Sequence, residues 1–131
     1  MPCTEVMECY FGSLALPDDN QIGKTAVVMF HIPDIGVKFK APFDGVDPDH
    51  CDLASLLALL EFIDSNQKYF ARHNYQIFGN NRRIIDQVNL REEPPVIFTP
   101  LLEKATSYRD KYGYSLDWVP SWGNRVSDST V

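Results

Sequence analysis

No apolar run in this 131-residue sequence approaches the ~20 residues that a membrane-spanning helix needs. Its first ten residues, MPCTEVMECY, have neither the basic start nor the apolar middle of a secretory leader. Both absences count against a membrane or exported protein and make the cytoplasm the expected compartment. Cysteine is scarce as well. Cys3, Cys9 and Cys51 form an odd set without C-x-x-C spacing, which argues against a disulfide framework or a thiolate zinc site and suits free thiols in a reducing compartment. There is no Gly-rich phosphate loop and no G-x-S-x-G elbow, so neither a nucleotide cradle nor an esterase-type nucleophile is signalled. Positive charge is in deficit, with 12 Lys and Arg against 18 Asp and Glu and a net charge of −6. Such a field repels nucleic acid and acidic membrane surfaces unless a local basic patch overrides it.

What is present describes one domain over residues 1–131, with 44% hydrophobic and 23% charged residues, enough to bury a core without staples. Residues 5–16 read as a long strand, followed by turn chemistry at Pro17-Asp18-Asp19-Asn20 and a β-rich run at residues 26–30. After a second turn at Pro33-Asp34-Ile35-Gly36, Val37, Phe39 and Ala41 alternate with Lys38 and Lys40 as in a half-solvated strand. The period then changes. Asp47-Pro48 can cap and open a helix, and Leu53, Leu56, Leu57, Leu60 and Ile63 share one helical face, which Tyr69 and Phe70 prolong. A short buried strand at 75–78 precedes a short helix at 81–88 and a charged, Pro-rich loop at 90–95. Thr99-Pro100 reads as a cap and first turn for a helix that Gly113 ends, with Leu101, Leu102, Ala105, Tyr108 and Tyr112 as its apolar stripe. A last strand over 114–119 leads into a tail. The order βββαβααβ predicts an α/β domain with a five-stranded mixed sheet whose first three strands are antiparallel.

Four local strings, each on the element that would carry it, resemble the ribonuclease H family and its small plant-type and prokaryotic domains, over about residues 10–128. The family's Asp-Gly-Ser triplet on the first strand is matched by Phe11-Gly12-Ser13. Its helix Glu, three residues before a small residue, is matched by Ser55 ahead of Ala58. Its fourth-strand Asp-Ser, followed by a Val-x-x-Gln-Val-Asn helix, is matched by Asn80-Asn81 and then Ile84-Ile85-Asp86-Gln87-Val88-Asn89. Its Val-Pro-Arg-x-x-Asn-x-x-Ala-Asp string is matched by VPSWGNRVSD over residues 119–128, which keeps Asp128 but has Ser121 in place of the Arg. The resemblance implies a three-layer fold whose final helix is short or missing here.

It also implies two-metal phosphodiester hydrolysis, in which Mg²⁺ or Mn²⁺ ions roughly 4 Å apart are held by clustered carboxylates. On this matching the four family positions are Phe11, Ser55, Asn80 and Asp128, so a single acid remains and no intact catalytic set or metal site is expected. Other acids read as solvated. Asp18 and Asp19 lie in a turn, Asp44-Gly45 follows the third strand, Glu61 lies beyond Ser55, and Glu8 points to the opposite face of the strand from Phe11. His31, His50 and His73 are scattered, and Cys51 next to His50 on a helix projects roughly 100° away from it.

The expected role is a catalytically inactive binding or scaffold module without a cofactor. The alternatives are a divergent Mg²⁺- or Mn²⁺-dependent nuclease acting on RNA/DNA hybrid and a noncatalytic nucleic-acid binder. For the last, Asn81, Arg82, Arg83 and Asn124 are the candidate contacts, with Lys38, Lys40, Lys68 and Arg72 as further members of a basic face. Of the aromatics near the C-terminus (Trp118, Trp122, Tyr108, Tyr112 and Tyr114), at least half belong to the core on this reading. Loss of the final helix would bare apolar sheet surface, so the partner is either another protein or a second copy in a dimer.

Overall fold

The computed structural model describes residues 5–17, 21, 23–70 and 73–127. Strand β1 (Glu5–Ala15) pairs antiparallel with β2 (Ala26–Ile32), which pairs antiparallel with β3 (Val37–Phe43). On its other side β1 runs parallel to β4 (His73–Gly79), and β4 runs parallel to β5 (Ser115–Trp118). The sheet order is therefore β3-β2-β1-β4-β5, and the expected mixed sheet with an antiparallel first half is present. Three helices, α1 (Pro48–Ser65), α3 (Arg82–Val88) and α4 (Thr99–Tyr112), join the strands, and a short turn of helix, α2 (Gln67–Phe70), follows α1. None of the described helices is long and apolar enough to cross a membrane.

Alternation along the strands decides what lies on each face. Cys9 and Phe11 of β1, Ile77 of β4 and Leu116 of β5 join Leu56 and Leu60 of α1 in the main core. Tyr10 and Met29 point the other way and are covered by Val126, with Phe78 packed alongside. That covering segment is a pair of single 3-10 turns, Ser121–Gly123 and Arg125–Ser127. It is tied down by His31, whose Nδ1 lies 3.2 Å from the Arg125 carbonyl oxygen. Val6 and Leu14, on the same face of β1 as Tyr10, stay half exposed.

Two local expectations are corrected. The long helix does not continue to Phe70, because it ends at Ser65. Asn66 leaves helical geometry (φ −122°, ψ 32°) and donates its backbone N–H to Ile63 O, while its Nδ2 takes the Phe62 carbonyl at 2.8 Å. The side chain thus satisfies the acceptor that the next helical N–H would have used. Thr99 is no cap for α4, since it already has helical angles (φ −52°, ψ −47°) and the cap position falls to Phe98. The other end is as expected: Gly113 takes φ 65° and closes the helix on Arg109 O. Of the five C-terminal aromatics, Tyr114 is buried and Tyr108 and Tyr112 pack against the core, whereas Trp118 and Trp122 are exposed.

The start of α1 rests on Asp47, whose Oδ1 accepts the His50 N–H at 2.8 Å, with Pro48 in the first turn. Asp47→Ala removes this cap and is expected to lower the unfolding free energy by ~1 kcal/mol. Urea denaturation at neutral pH measures the change.

Candidate functional site

Register brings the matched strings together. Tyr10 pairs with Phe78 and β1 runs parallel to β4, so Phe11 and Gly12 lie beside Gly79 and Asn80 at the carboxyl end of β4. This is the kind of strand-end crevice where α/β sheets place ligands. The Phe11 ring points to the helical face, 1% exposed, and a Cβ at Gly79 would lie 2.5 Å from its Cζ. Glycine at 79 is what allows the ring to lie there.

Two polar sets flank this ring. On the face bearing Tyr10, Asn124 is buried, and its Nδ2 donates to Phe11 O at 2.9 Å and to Asn80 Oδ1 at 2.6 Å. Its Oδ1 accepts the Val126 N–H at 3.1 Å. Close approach is possible because position 12 has no side chain: a Cβ there would lie 3.1 Å from Val126 Cγ1 and 3.4 Å from Asn124 Nδ2. Asn124, expected to face a nucleic acid, is thus taken up inside the fold.

The second set lies on the helical side. Asn81 caps α3 by accepting the Ile84 N–H at 3.2 Å. Its Nδ2 donates to Asp49 Oδ1 at 2.9 Å and to Asp52 Oδ2 at 2.7 Å. Ser13 donates to the other Asp52 oxygen at 2.6 Å, and Arg83 reaches Asp49 Oδ2 at 3.0 Å. Asp47, Asp49, Asp52, Asn80, Asn81, Arg82 and Arg83 line an open recess of about 580 Å³. Trp118 borders it, donating its indole N–H to Asn80 O at 3.2 Å while the Arg82 guanidinium lies 4.2 Å from its ring centroid.

Ser55 is absent from this assembly. It is fully buried, with its hydroxyl donating to Asp52 O at 2.6 Å. Asp49, Asp52 and Ser55 recur every three residues along one helical stripe, and the stripe runs from the recess into the core. The helix acid that reaches the strand ends is therefore Asp52, one turn before the position matched by sequence. Asp128 lies outside the described residues, as do Asp18, Asp19 and Arg72. Lys38 and Lys40 sit on β3, three strand spacings or ~14 Å from β4, so they do not extend a basic face around Arg82 and Arg83. His50 accepts the Val46 N–H through Nδ1, and Cys51 is buried against Gly45, so no imidazole–thiol pair forms. Among the described residues, no three His, Cys, Asp or Glu side chains are grouped to hold a metal ion.

Burial pushes the Asp52 carboxyl above its ordinary value of 3.8, and the Asp49 charge adds to the rise, against the opposing hydrogen bonds from Ser13 and Asn81.

The topology is that of the ribonuclease H-like fold, and solved structures agree with it. Ribonuclease H1 of the halophilic archaeon Halobacterium salinarum superposes with a TM-score of 0.72 at 14% identity, covering 95% of this chain and 92% of that one. The N-terminal ribonuclease H domain of a Mycobacterium tuberculosis protein, solved as a fusion with maltose-binding protein, gives 0.74 at 11% identity, with 95% and 88% covered. The LC11 ribonuclease H1, isolated from compost and solved in complex with RNA/DNA hybrid, gives 0.75 at 12% identity, with 93% and 91% covered. No protein-family model and no curated protein sequence matches the chain.

Gly79→Ala is expected to destabilise the fold by about 1–3 kcal/mol through overpacking against Phe11, and Phe11→Leu in the same chain to recover part of that loss; thermal unfolding of the two single variants and the double variant checks the coupling. A carboxyl whose folded pKa is raised makes the protein lose stability as pH rises from the ordinary carboxylate value toward the raised one, because the unfolded chain releases its proton first. Across that window, the stability of Asp52→Asn relative to the unsubstituted protein is expected to increase with pH, as read from urea unfolding at a series of pH values.

Proposed function

We propose that this chain is a ribonuclease H-like module that has lost two-metal hydrolysis and acts by binding. The observation that carries this reading is Phe11. A magnesium pair needs a carboxylate that can reach both ions, backed by further anionic oxygens. At the position the resemblance gives to that carboxylate, this chain has a phenyl ring buried under Gly79. The ring offers no ligand and occupies the adjoining space.

Neighbouring groups do not make up for it. Asn80 is neutral, and its Oδ1 accepts from Asn124. Asp52, which we take for the family's helix acid in place of Ser55, has one oxygen on Ser13 and the other on Asn81. Asp49 is held by Asn81 and Arg83. This donor set does not fit two hard divalent cations. We take the partner to be another protein, and the odd cysteine set, with Cys9 and Cys51 free and buried, suits a reducing cytoplasm.

A second reading is noncatalytic binding of RNA/DNA hybrid. It is favoured by the exposed Arg82 over Trp118, a cation and a stacking surface side by side, and by the hybrid bound to the LC11 ribonuclease H1. It is opposed by the three aspartates that line the same recess.

Incubation with RNA/DNA hybrid in Mg²⁺ or Mn²⁺ is expected to give no cleavage, and calorimetric titration with Mn²⁺ no saturable heat. Cleavage that Asp52→Asn or Asp128→Ala abolishes would overturn the proposal and revive the divergent nuclease. Hybrid binding that weakens steeply with salt, without cleavage, would assign the second reading.

A further inference from the structure

A second surface lies between α4 and the chain that leads into it from α3. At its edge is Leu90, the single non-glycine residue with positive φ among those described, at 63°. The left-handed conformation closes the end of α3, with Leu90 N–H on Gln87 O at 3.1 Å and Arg91 N–H on Asp86 O at 2.7 Å. Glycine or asparagine normally fills such a position, because a Cβ is strained there. Leu90 is also 77% exposed, so the isolated domain gains neither backbone ease nor burial from a leucine at this point. Further along the loop, Val96 and Ile97 are exposed too, at 86% and 66%.

Leu90, Pro94 and Leu102 form the apolar part of a groove of about 450 Å³, and Glu103 and Asp110 of α4 line it as well. Glu92 and Glu93 precede Pro94 in the loop and add to the negative charge. Of the cations nearest in sequence, two are paired with acids outside the groove and Arg109, which keeps its charge, is turned to neutral acceptors. Arg91 lies 3.7 Å from Asp86, Lys104 pairs with Glu61, and Arg109 donates to Val88 O and to Asn89. The groove therefore combines an apolar floor with an excess of acid.

We infer that this groove docks a cationic amphipathic segment of a partner protein, its apolar side chains lying on Leu90, Pro94 and Leu102 and its Lys or Arg side chains meeting Glu103 and Asp110. A second copy of this chain is a poor occupant, because it brings the same acids and a net charge of −6. Nucleic acid and anionic lipid are repelled for the same reason. From the function proposed above, the inference takes only that the domain acts by binding. Hybrid cleavage would end that proposal and leave this surface to be judged by its own test.

The test uses the full chain and two synthetic helical peptides with identical leucine spacing, one with lysine and one with glutamate at its polar positions. Calorimetry is expected to show saturable binding of the lysine peptide alone, with amide shifts concentrated in residues 90–110. Glu103→Lys combined with Asp110→Lys is expected to weaken binding about tenfold or more. Leu90→Asn is expected to weaken it about fivefold while leaving the thermal midpoint unchanged or higher, since asparagine accepts the left-handed backbone. Similar binding of both peptides, no binding of either, shifts centred on residues 80–83, or variants that bind as tightly as the parent would each overturn the inference. So would sedimentation showing that the protein alone self-associates through residues 90–110.

Discussion

The parallel pairing of β1 with β4 is the constraint on which the rest of the site depends. It sets the middle of one strand against the end of the other, so that an 11-residue strand continues past the point where its partner turns into a helix. The side chains just beyond that point keep β2 as a neighbour but have no strand on the β4 side, where they find partners among loops and helix starts. Phe11 goes inward under Gly79, Ser13 reaches across to α1, and Gly12 lets Asn124 come down on the backbone. Ring and glycine form one packing unit, in which the missing Cβ at 79 is the complement of the ring at 11.

At this corner an amide shares with one arginine, Arg83, the work that cations do elsewhere. Two neighbouring aspartates repel each other and are costly to desolvate, and a metal ion or a lysine is the usual remedy. Asn81 gives one N–H to each, while its oxygen caps the helix behind it, so a single neutral side chain uses both its donors and one acceptor site. Asn124 plays the matching part on the other face, joining Phe11 O to Asn80. The recess is held by hydrogen bonds whose geometry does not depend on a bound cation.

Element order was legible because the change from alternation to helical spacing falls at Asp47-Pro48, and Asn81 and Gly113 carry their usual cap signals. What was not legible turns on competition between nearly equal local options. Asn66 could have continued the helix but binds the Phe62 carbonyl with its own side chain. Asp52 and Ser55 stand one turn apart on a single stripe, and residue spacing alone does not say how far along that stripe the recess ends. The D-x-x-D-x-x-S repeat at 49, 52 and 55 was the available signal for the acid at the strand ends. Strand order was a further gap: it sets Lys38 and Lys40 on the far edge from Arg82, which a pass along the chain does not reveal.

The far edge itself has a consequence for how copies of the protein can meet. β3 ends the sheet, and an unpaired strand there would ordinarily invite another strand to add on. Its solvent row is Lys38, Lys40 and Pro42, two like charges and a residue without a backbone N–H. At the opposite boundary, β5 is only four residues long. Neither border offers a good backbone template, so the sheet resists growing into a fibre, and association between molecules is left to the side chains on its faces and helices.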